Sequence, residues 1–200
     1  MGWFPLRRGR RRTPFNNLAP YGLTCGRVTT QLHVGGELGP DDVHALVKAE
    51  ITVIINLQQE QQDTFARDER IDAYLWLPAP DGQAPTLEQL QLGVNFIRGS
   101  VDNGKSVFVH CKAGQGRAPL LCACYLISLG QTPLQAMARL RDARPATMLT
   151  GPQNVRLREF AALFGTQDGG TAAASTASSH AVDSPTRSLT KEQPVRPAAL

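Results

Sequence analysis

A cysteine and an arginine lie in one glycine-rich segment, His110–Arg117, which reads HCKAGQGR. Gly114 and Gly116 can adopt backbone conformations that other residues avoid, and they let a phosphate approach the main chain closely. Successive N–H groups of such a turn can bind an anion, and Arg117 can add a bidentate pair of donors. The segment therefore predicts a phosphate-binding loop. Its main-chain donors are expected from Lys112, Ala113, Gly114, Gln115 and Gly116.

Cys111 stands at the start of this loop and is the candidate nucleophile. A helix N-terminus and neighbouring cationic groups favour the thiolate, which is the reactive form of a cysteine. A thiolate beneath a bound phosphate is placed to attack phosphorus in line and to form a phosphocysteine. The expected reaction is therefore hydrolysis of a phosphomonoester, with no metal ion and no other cofactor.

Departure of the alcohol or phenol from phosphorus requires a proton, which a nearby carboxylic acid can supply. Asp81 is the candidate, because it lies in the segment 78–82 (PAPDG) directly after an apolar run at residues 73–77. A strand at 73–77 that is parallel to the strand before Cys111 would bring both residues to the same edge of the sheet. Asp81 is thus predicted to be the general acid.

The loop is predicted to lie between a strand and a helix. Residues 106–110 (SVFVH) form an apolar run that is typical of a buried strand. A helix is predicted from about Arg117 to Leu129, and Gly130 is expected to end it. This order puts the loop at the carboxyl end of a strand and the amino end of a helix, where α/β proteins bind phosphates.

Further strands and helices alternate along the chain. Apolar runs predict three more strands, at residues 27–34, 51–57 and 73–77. A short helix is predicted after Pro40, where acidic residues follow the proline. Capping boxes begin three longer helices, at Thr86, Thr132 and Thr150. The alternation predicts an α/β fold of three layers, in which helices flank a mainly parallel central sheet.

The pattern His110-Cys111-x-x-Gly114-x-x-Arg117 resembles the Cys-x5-Arg signature of protein tyrosine phosphatases. The single domain, with Asp81 lying 30 residues before the cysteine, is similar to the dual-specificity branch of that superfamily. The resemblance spans residues 27–165. It implies the fold of that branch and hydrolysis of phosphotyrosine and phosphoserine or phosphothreonine. It also implies roles for four residues: Cys111 as the nucleophile, Arg117 in phosphate binding, Asp81 as general acid and base, and His110 in tuning and orienting the cysteine.

Some features are similar to other branches. The loop also resembles those of phosphoinositide and phosphatidylglycerophosphate phosphatases, and residues 143–145 and 150–153 look like the latter group. A phospholipid phosphatase is therefore an alternative. Residues 116–119 (GRAP) are similar to plant glucan phosphatases, which we rank third. A non-catalytic phosphate-binding scaffold is the alternative outside enzymes.

Ala118 departs from the family pattern, which usually has serine or threonine directly after the arginine. In the family that hydroxyl assists breakdown of the phosphocysteine. We therefore expect slower dephosphorylation of the intermediate in this chain, visible as a presteady-state burst followed by slow turnover.

The two ends of the chain differ from its centre in composition. Residues 1–22 include five arginines in the segment Arg7–Arg12 and predict a disordered basic arm. Weak contact with an anionic membrane and a role as a targeting segment are the alternatives for this arm. Residues 166–200 are rich in Ser, Thr and Ala and predict a disordered tail. The phosphatase-like domain is assigned to residues 23–165. Residues 37–165 hold 12 Lys and Arg against 14 Asp and Glu, which argues against a nucleic-acid partner.

The four cysteines show no Cys-x-x-Cys pair and no metal-ligand spacing with the histidines, so no metal site is predicted. Free thiols are typical of a reducing compartment, and a cytoplasmic location is expected. No apolar run approaches the roughly 18 residues that span a bilayer. The domain is expected to act as a monomer on a phosphorylated protein or another phosphomonoester.

Some other patterns predict structure rather than chemistry. Residues 99–106 match the GxxxxGK[ST] pattern of nucleotide-binding loops. The match ends a predicted helix and opens a predicted strand, which is the reverse of the order that such a loop needs, so a turn is expected. Trp76 and Phe108 are predicted to lie in the core, and His33 at the surface or at a strand edge.

Overall fold

The computed structural model describes residues 25–39, 41–66 and 69–165. The basic arm at 1–22 and the tail at 166–200 lie outside these residues, so both of them, and the domain boundaries, stay predictions. Within the described residues the strands are β1 (Cys25–Arg27), β2 (Leu32–Gly35), β3 (Ile51–Gln58), β4 (Ala73–Ala79) and β5 (Ser106–His110). The helices are α1 (Asp42–Lys48), α2 (Leu87–Asp102), α3 (Arg117–Ser128), α4 (Pro133–Ala143) and α5 (Gly151–Phe164).

The strands form one sheet in the order β1-β2-β5-β3-β4. Only β1 is antiparallel to its neighbour, and the other pairs are parallel. Strand β5 lies in the middle, between β2 and β3, and all of its residues after Ser106 are buried. The predicted α/β fold with a mainly parallel central sheet is therefore confirmed.

Both faces of the sheet are covered. Val107 and Val109 of β5 point into a large apolar cluster with residues of α2, α3, α4 and α5. Phe108, which lies between them in the strand, points to the opposite face and packs with Leu46 of α1. This alternation follows from the two-residue period of a strand. The two clusters explain why β5 is apolar at every internal position.

Helix α3 is buried from Arg117 to Ile127, so it occupies the centre of the larger cluster. A helix that is apolar around its whole circumference is expected only in such a position. Gly130 follows the C-cap residue Leu129 and has a φ of 93°, in agreement with the prediction that this glycine ends the helix. The capping boxes at Thr86, Thr132 and Thr150 are all present.

One strand prediction is wrong. Residues 27–34 form the end of β1, a turn and the start of β2 rather than a single strand. The Thr29 hydroxyl oxygen accepts hydrogen bonds from the N–H groups of Gln31 (3.2 Å) and Leu32 (2.9 Å), and the Val28 N–H donates to the Leu32 carbonyl. These local bonds compete with sheet pairing and turn the chain back on itself.

Two predictions about single side chains are also wrong. Trp76 is 37% exposed on β4, where its indole N–H donates to the Gln58 carbonyl (2.7 Å). His33 is buried, because β2 lies between β1 and β5 and not at an edge of the sheet. Residues 99–106 run from helix α2 into strand β5, as predicted for a turn. No helix of the described residues is long and apolar enough to cross a membrane.

Candidate active site

Cys111 lies at the carboxyl end of the central strand, in a loop of residues 111–116 that joins β5 to α3. Its side chain is buried, with 2% of the residue exposed. Lys112, Ala113 and Gln115 of the same loop are exposed. The cysteine therefore lies at the bottom of the loop, at the sheet edge where α/β proteins bind ligands.

Every carbonyl oxygen from residue 112 to residue 116 accepts a hydrogen bond. The bonds run from Glu37 N to Lys112 (3.0 Å), from Arg144 Nη2 to Ala113 (2.9 Å), from Arg144 Nε to Gly114 (2.7 Å), from Met148 N to Gln115 (2.9 Å) and from Leu120 N to Gly116 (2.9 Å). The carbonyl of one residue and the N–H of the next point in opposite directions in a trans peptide. The N–H groups of residues 113–117 therefore face away from these donors, and none of them donates to another described residue. Five N–H groups are left to bind an anion.

Gly114 is required at its position by conformation and by contact. Its φ is +64°, and a Cβ there would overlap the Gly35 carbonyl at the end of β2. Gly36 also packs against the Lys112 carbonyl. The loop therefore takes its shape from the end of β2 on one side and from Arg144, directly after α4, on the other.

Arg117 is the first residue of α3 and is 1% exposed. Its Nη1 donates to both carboxylate oxygens of Glu60 (3.1 and 2.9 Å) and to the Ala79 carbonyl (2.7 Å). Its Nη2 donates to Asp81 Oδ1 (2.8 Å). A guanidinium has five N–H donors. Nε–H and one of the two Nη2–H donors have no acceptor among the described residues, so two charged donors are left for an anion such as phosphate.

Asp81 lies in the loop of residues 80–85 that follows β4, here called the acid loop. Gly82 has a φ of +72°, and the Gln83 N–H donates to the Pro80 carbonyl (3.1 Å), so the chain turns sharply at the aspartate. The Asp81 side chain is 74% exposed and contacts Arg117. Strands β4 and β5 both run parallel to β3, and the aspartate accordingly reaches the same edge of the sheet as Cys111.

His110 is the last residue of β5 and is completely buried. Its Nε2 lies 2.7 Å from Asp63 Oδ2, and its ring stacks on Phe108 with 5.7 Å between the ring centres. Asp63 is fixed in turn, because its N–H donates to the Tyr74 hydroxyl (3.1 Å). The histidine is thus held in place at the end of β5, directly before Cys111.

The charges at the entrance of the site are mixed. Lys112 and Arg117 are cationic, whereas Glu60 and Asp81 are acidic and lie beside Arg117. Partial burial opposes ionisation of Glu60, but the hydrogen bond and charge of Arg117, with the charge of Lys112, hold its pKa below the ordinary value. Glu60 therefore stays ionised at neutral pH and balances the buried guanidinium.

The two cysteines of α3 have a different environment from Cys111. Cys122 and Cys124 are completely buried in the large apolar cluster, as predicted. Burial raises the pKa of both thiols well above the ordinary value. Both side chains therefore act as small apolar groups at neutral pH.

The sequence did not identify three residues that hold the site together: Glu60, Asp63 and Arg144. Glu60 and Asp63 come from the segment after β3, and each contacts a residue about 50 positions away in the chain. The rule that selected Asp81, an acidic residue directly after a parallel strand, applies equally to both of them. Arg144 lies in the segment 143–145 that resembles phosphatidylglycerophosphate phosphatases, but that resemblance does not predict its contacts, which depend on how α4 packs.

A protein family described as "Tc-R-P: Polymorphic toxin system, DSP-PTPase phosphatase" matches residues 34–131. The phosphatidylglycerophosphate phosphatase PTPMT2 of Arabidopsis thaliana is 34% identical over 128 residues, which are 61% of this chain and 56% of that protein. Human dual specificity protein phosphatase 5 is 27% identical over 105 residues, which are 52% of this chain and 27% of that protein. Both matches span less than two thirds of the relative's own length.

A solved structure has the same fold. The active form of Tk-PTP is similar with a TM-score of 0.63 at 25% sequence identity, and the match covers 69% of this chain and 96% of that one. The aligned share corresponds in size to the part of this chain that the structure describes. The likeness also covers nearly the whole of that solved chain.

Proposed function

Since the chain belongs to the cysteine-dependent protein tyrosine phosphatase superfamily, we propose that it hydrolyses phosphomonoesters as a dual-specificity phosphatase. Phosphotyrosine and phosphoserine or phosphothreonine are the proposed substrates. One observation carries the proposal: five consecutive N–H groups and two donors of Arg117 remain available around the buried Cys111. This arrangement fits the three equatorial oxygens of a phosphoryl group in transfer.

In the first step the Cys111 thiolate attacks phosphorus, and the bond from phosphorus to the ester oxygen breaks. The N–H groups of residues 113–117 and the free edge of Arg117 hold the phosphoryl oxygens. Asp81, protonated, gives its proton to the departing oxygen, so that the alcohol or phenol leaves neutral. The product on the protein is a phosphocysteine.

In the second step water attacks phosphorus and the P–S bond breaks, which returns the thiolate and releases phosphate. Asp81, now ionised, accepts the proton from the water. Ala118 offers no hydroxyl toward the departing sulfur, so this step is proposed to be the slow one. Rapid-quench measurements should show a burst of alcohol before the steady state. Ala118→Ser should raise the steady-state rate, whereas Ala123→Ser, also buried in α3, should not.

Three variants test the proposal directly. Cys111→Ser should lose all turnover and keep its affinity for an unreactive phosphate analogue such as tungstate. Asp81→Asn should lose about 100- to 10,000-fold in kcat on an alkyl phosphate. Arg117→Lys should lose affinity for the analogue, because an ammonium group cannot form the two-pronged contact. A wild-type protein that binds tungstate and turns over no phosphomonoester would instead support a phosphate-binding scaffold.

The second candidate is a phospholipid phosphatase. It is favoured by the 34% identity over 128 residues to the plant phosphatidylglycerophosphate phosphatase PTPMT2 and by the exposed cation Lys112 beside the nucleophile. A panel of phosphopeptides, phosphatidylglycerophosphate vesicles and phosphoglucan, assayed with the wild type and Asp81→Ala, separates the substrate classes. The class with the highest kcat/KM, provided that this rate depends on Asp81, is the substrate class. The cytoplasmic location and the monomeric state remain predictions.

A further inference from the structure

Helix α5 is tied to the acid loop through its N-cap residue and two side chains of its first half. Each of them donates a hydrogen bond to a different backbone carbonyl of that loop. The bonds run from Thr150 Oγ1 to Gly82 (2.8 Å), from Gln153 Nε2 to Gln83 (2.9 Å) and from Arg156 Nη1 to Pro85 (2.5 Å). The loop that carries Asp81 is thus fixed by a helix more than 60 residues further along the chain.

Gln153 is the central member of the three. It is 1% exposed, and its Oε1 accepts a hydrogen bond from Thr150 N (3.0 Å) while its Nε2 donates to Gln83. The same amide packs against Gly116, where a Cβ would lie 2.5 Å from Oε1. One side chain therefore contacts both the acid loop and the loop of residues 111–116.

Capping of the helix does not account for this contact. Gln135 holds the same place in the capping box of α4, where its Oε1 accepts from Thr132 N (2.8 Å), and it is exposed. Its Nε2 donates to no other described residue. Gln153 therefore has the capping role of Gln135 and a second role toward the acid loop.

The position of Asp81 depends on this second role. The aspartate side chain is 74% exposed and its described contact is Arg117, so the backbone of the acid loop sets where the carboxyl group lies. A proton donor that is displaced by about 1 Å can lose about 100-fold in rate. We propose that Gln153, assisted by Thr150 and Arg156, is a positioning residue that sets the distance between Asp81 and the phosphate held by the 111–116 loop. This inference rests on the proposed function.

The test compares Gln153→Met with the matched control Gln135→Met. Both changes remove a capping-box amide, and only the first removes the bond to the acid loop. A series of aryl phosphates with leaving groups of increasing basicity, extended to an alkyl phosphate, measures how much protonation each variant supplies. Gln153→Met should lose about 10- to 100-fold in kcat on the alkyl phosphate and less than about threefold on the most activated ester. Gln135→Met should match the wild type throughout the series.

Asp81→Asn supplies the second readout. In that background Gln153→Met should cause no further loss of kcat on the alkyl phosphate, since the carboxyl group that Gln153 positions has been removed. An equal loss on all esters, or an additional loss in the Asp81→Asn background, would overturn the inference and leave the phosphatase intact. A wild type that hydrolyses none of the esters would overturn the proposed function itself. If Gln153→Met does not fold, Arg156→Gln, with Arg158→Gln as its control, carries the same comparison.

Discussion

At the scale of single residues, Arg117 is both charged and almost completely buried, which requires partners for its charge. It is a charged side chain that is 1% exposed, and burial of an unpaired charge is strongly unfavourable. Glu60 and the Ala79 carbonyl satisfy one end of the guanidinium, and Asp81 satisfies part of the other. This division fixes the orientation of the arginine and leaves Nε–H and one Nη2–H without an acceptor among the described residues.

Glu60→Gln should therefore lower kcat/KM for phosphomonoesters by about tenfold, which corresponds to about 1.4 kcal/mol of transition-state stabilisation. An amide has one acceptor oxygen where the carboxylate has two, so Arg117 loses a charged hydrogen bond and its fixed orientation. Removal of the negative charge also weakens repulsion of the phosphate. That gain is smaller, because the Glu60 side chain is 37% exposed and water screens its charge.

Steady-state kinetics check this prediction, with Glu50→Gln as the control. Glu50 is exposed and lies at the opposite end of β3, so its replacement should leave kcat/KM unchanged. An unchanged or increased kcat/KM in Glu60→Gln would show that the carboxylate does not orient Arg117.

The residues that could be predicted from sequence are those whose chemistry is encoded locally. Cys111 and Arg117 lie in one short segment, and Asp81 follows a strand that apolar periodicity reveals. The same rule covers Glu60, which follows β3, but it does not say which acidic residue of that segment contacts Arg117, 57 residues away. Arg144 could not be predicted in this way, because its bonds to the carbonyls of residues 113 and 114 depend on how α4 packs. Only the packing of β3 and α4 against the loop brings these partners together.

At the scale of the elements, the 111–116 loop depends on its neighbours for its shape. Gly114→Ala should unfold more easily than the wild type by more than about 2 kcal/mol and lose its affinity for tungstate. The positive φ costs an alanine about 1–2 kcal/mol. The methyl group would in addition overlap the Gly35 carbonyl, and neither backbone segment can move away without disturbing β2 or β5.

Gly104→Ala separates these two costs. Gly104 has a φ of +74° and nothing within 4 Å of the added Cβ, so this variant should lose only about 1–2 kcal/mol and keep its tungstate affinity. Denaturant titrations and tungstate binding on both variants check the prediction. Equal losses of stability in the two would mean that contact with β2 does not shape the loop.

Local sequence rules predicted some helices and strands better than others. The three capping boxes specify where α2, α4 and α5 begin, because the reciprocal bonds lie within four residues of each other. The prediction of a single strand at 27–34 is wrong, because the apolar alternation in the sequence continues through the turn at Thr29. Hydroxyl-to-backbone bonds of Thr29 decide that turn, and periodicity does not report them.

At the scale of the whole molecule, the sheet includes a titratable group that the proposed chemistry does not use. His33 is buried in β2, opposite Arg27 of β1. Burial and the charge of Arg27 lower its pKa from 6.5 to about 4, although a backbone bond at Val107 acts in the opposite direction. The folded protein thus keeps this ring neutral at a pH where the unfolded chain protonates it. Stability from this group is present above about pH 6.5 and is lost as the pH falls through about 4.

The free energy of unfolding should accordingly decrease by about 3 kcal/mol between pH 7 and pH 4 on account of His33 alone. His33→Leu should remove that part of the pH dependence, whatever it does to stability at pH 7. His44→Leu, at an exposed position of α1, should keep the wild-type dependence. Denaturant titrations at both pH values measure how much stability each of the three proteins loses on acidification. Carboxylates such as Glu60 contribute the same loss to all three proteins, so they cancel in the comparison. If His33→Leu loses as much stability on acidification as His44→Leu does, the buried ring does not limit the acid stability of the fold.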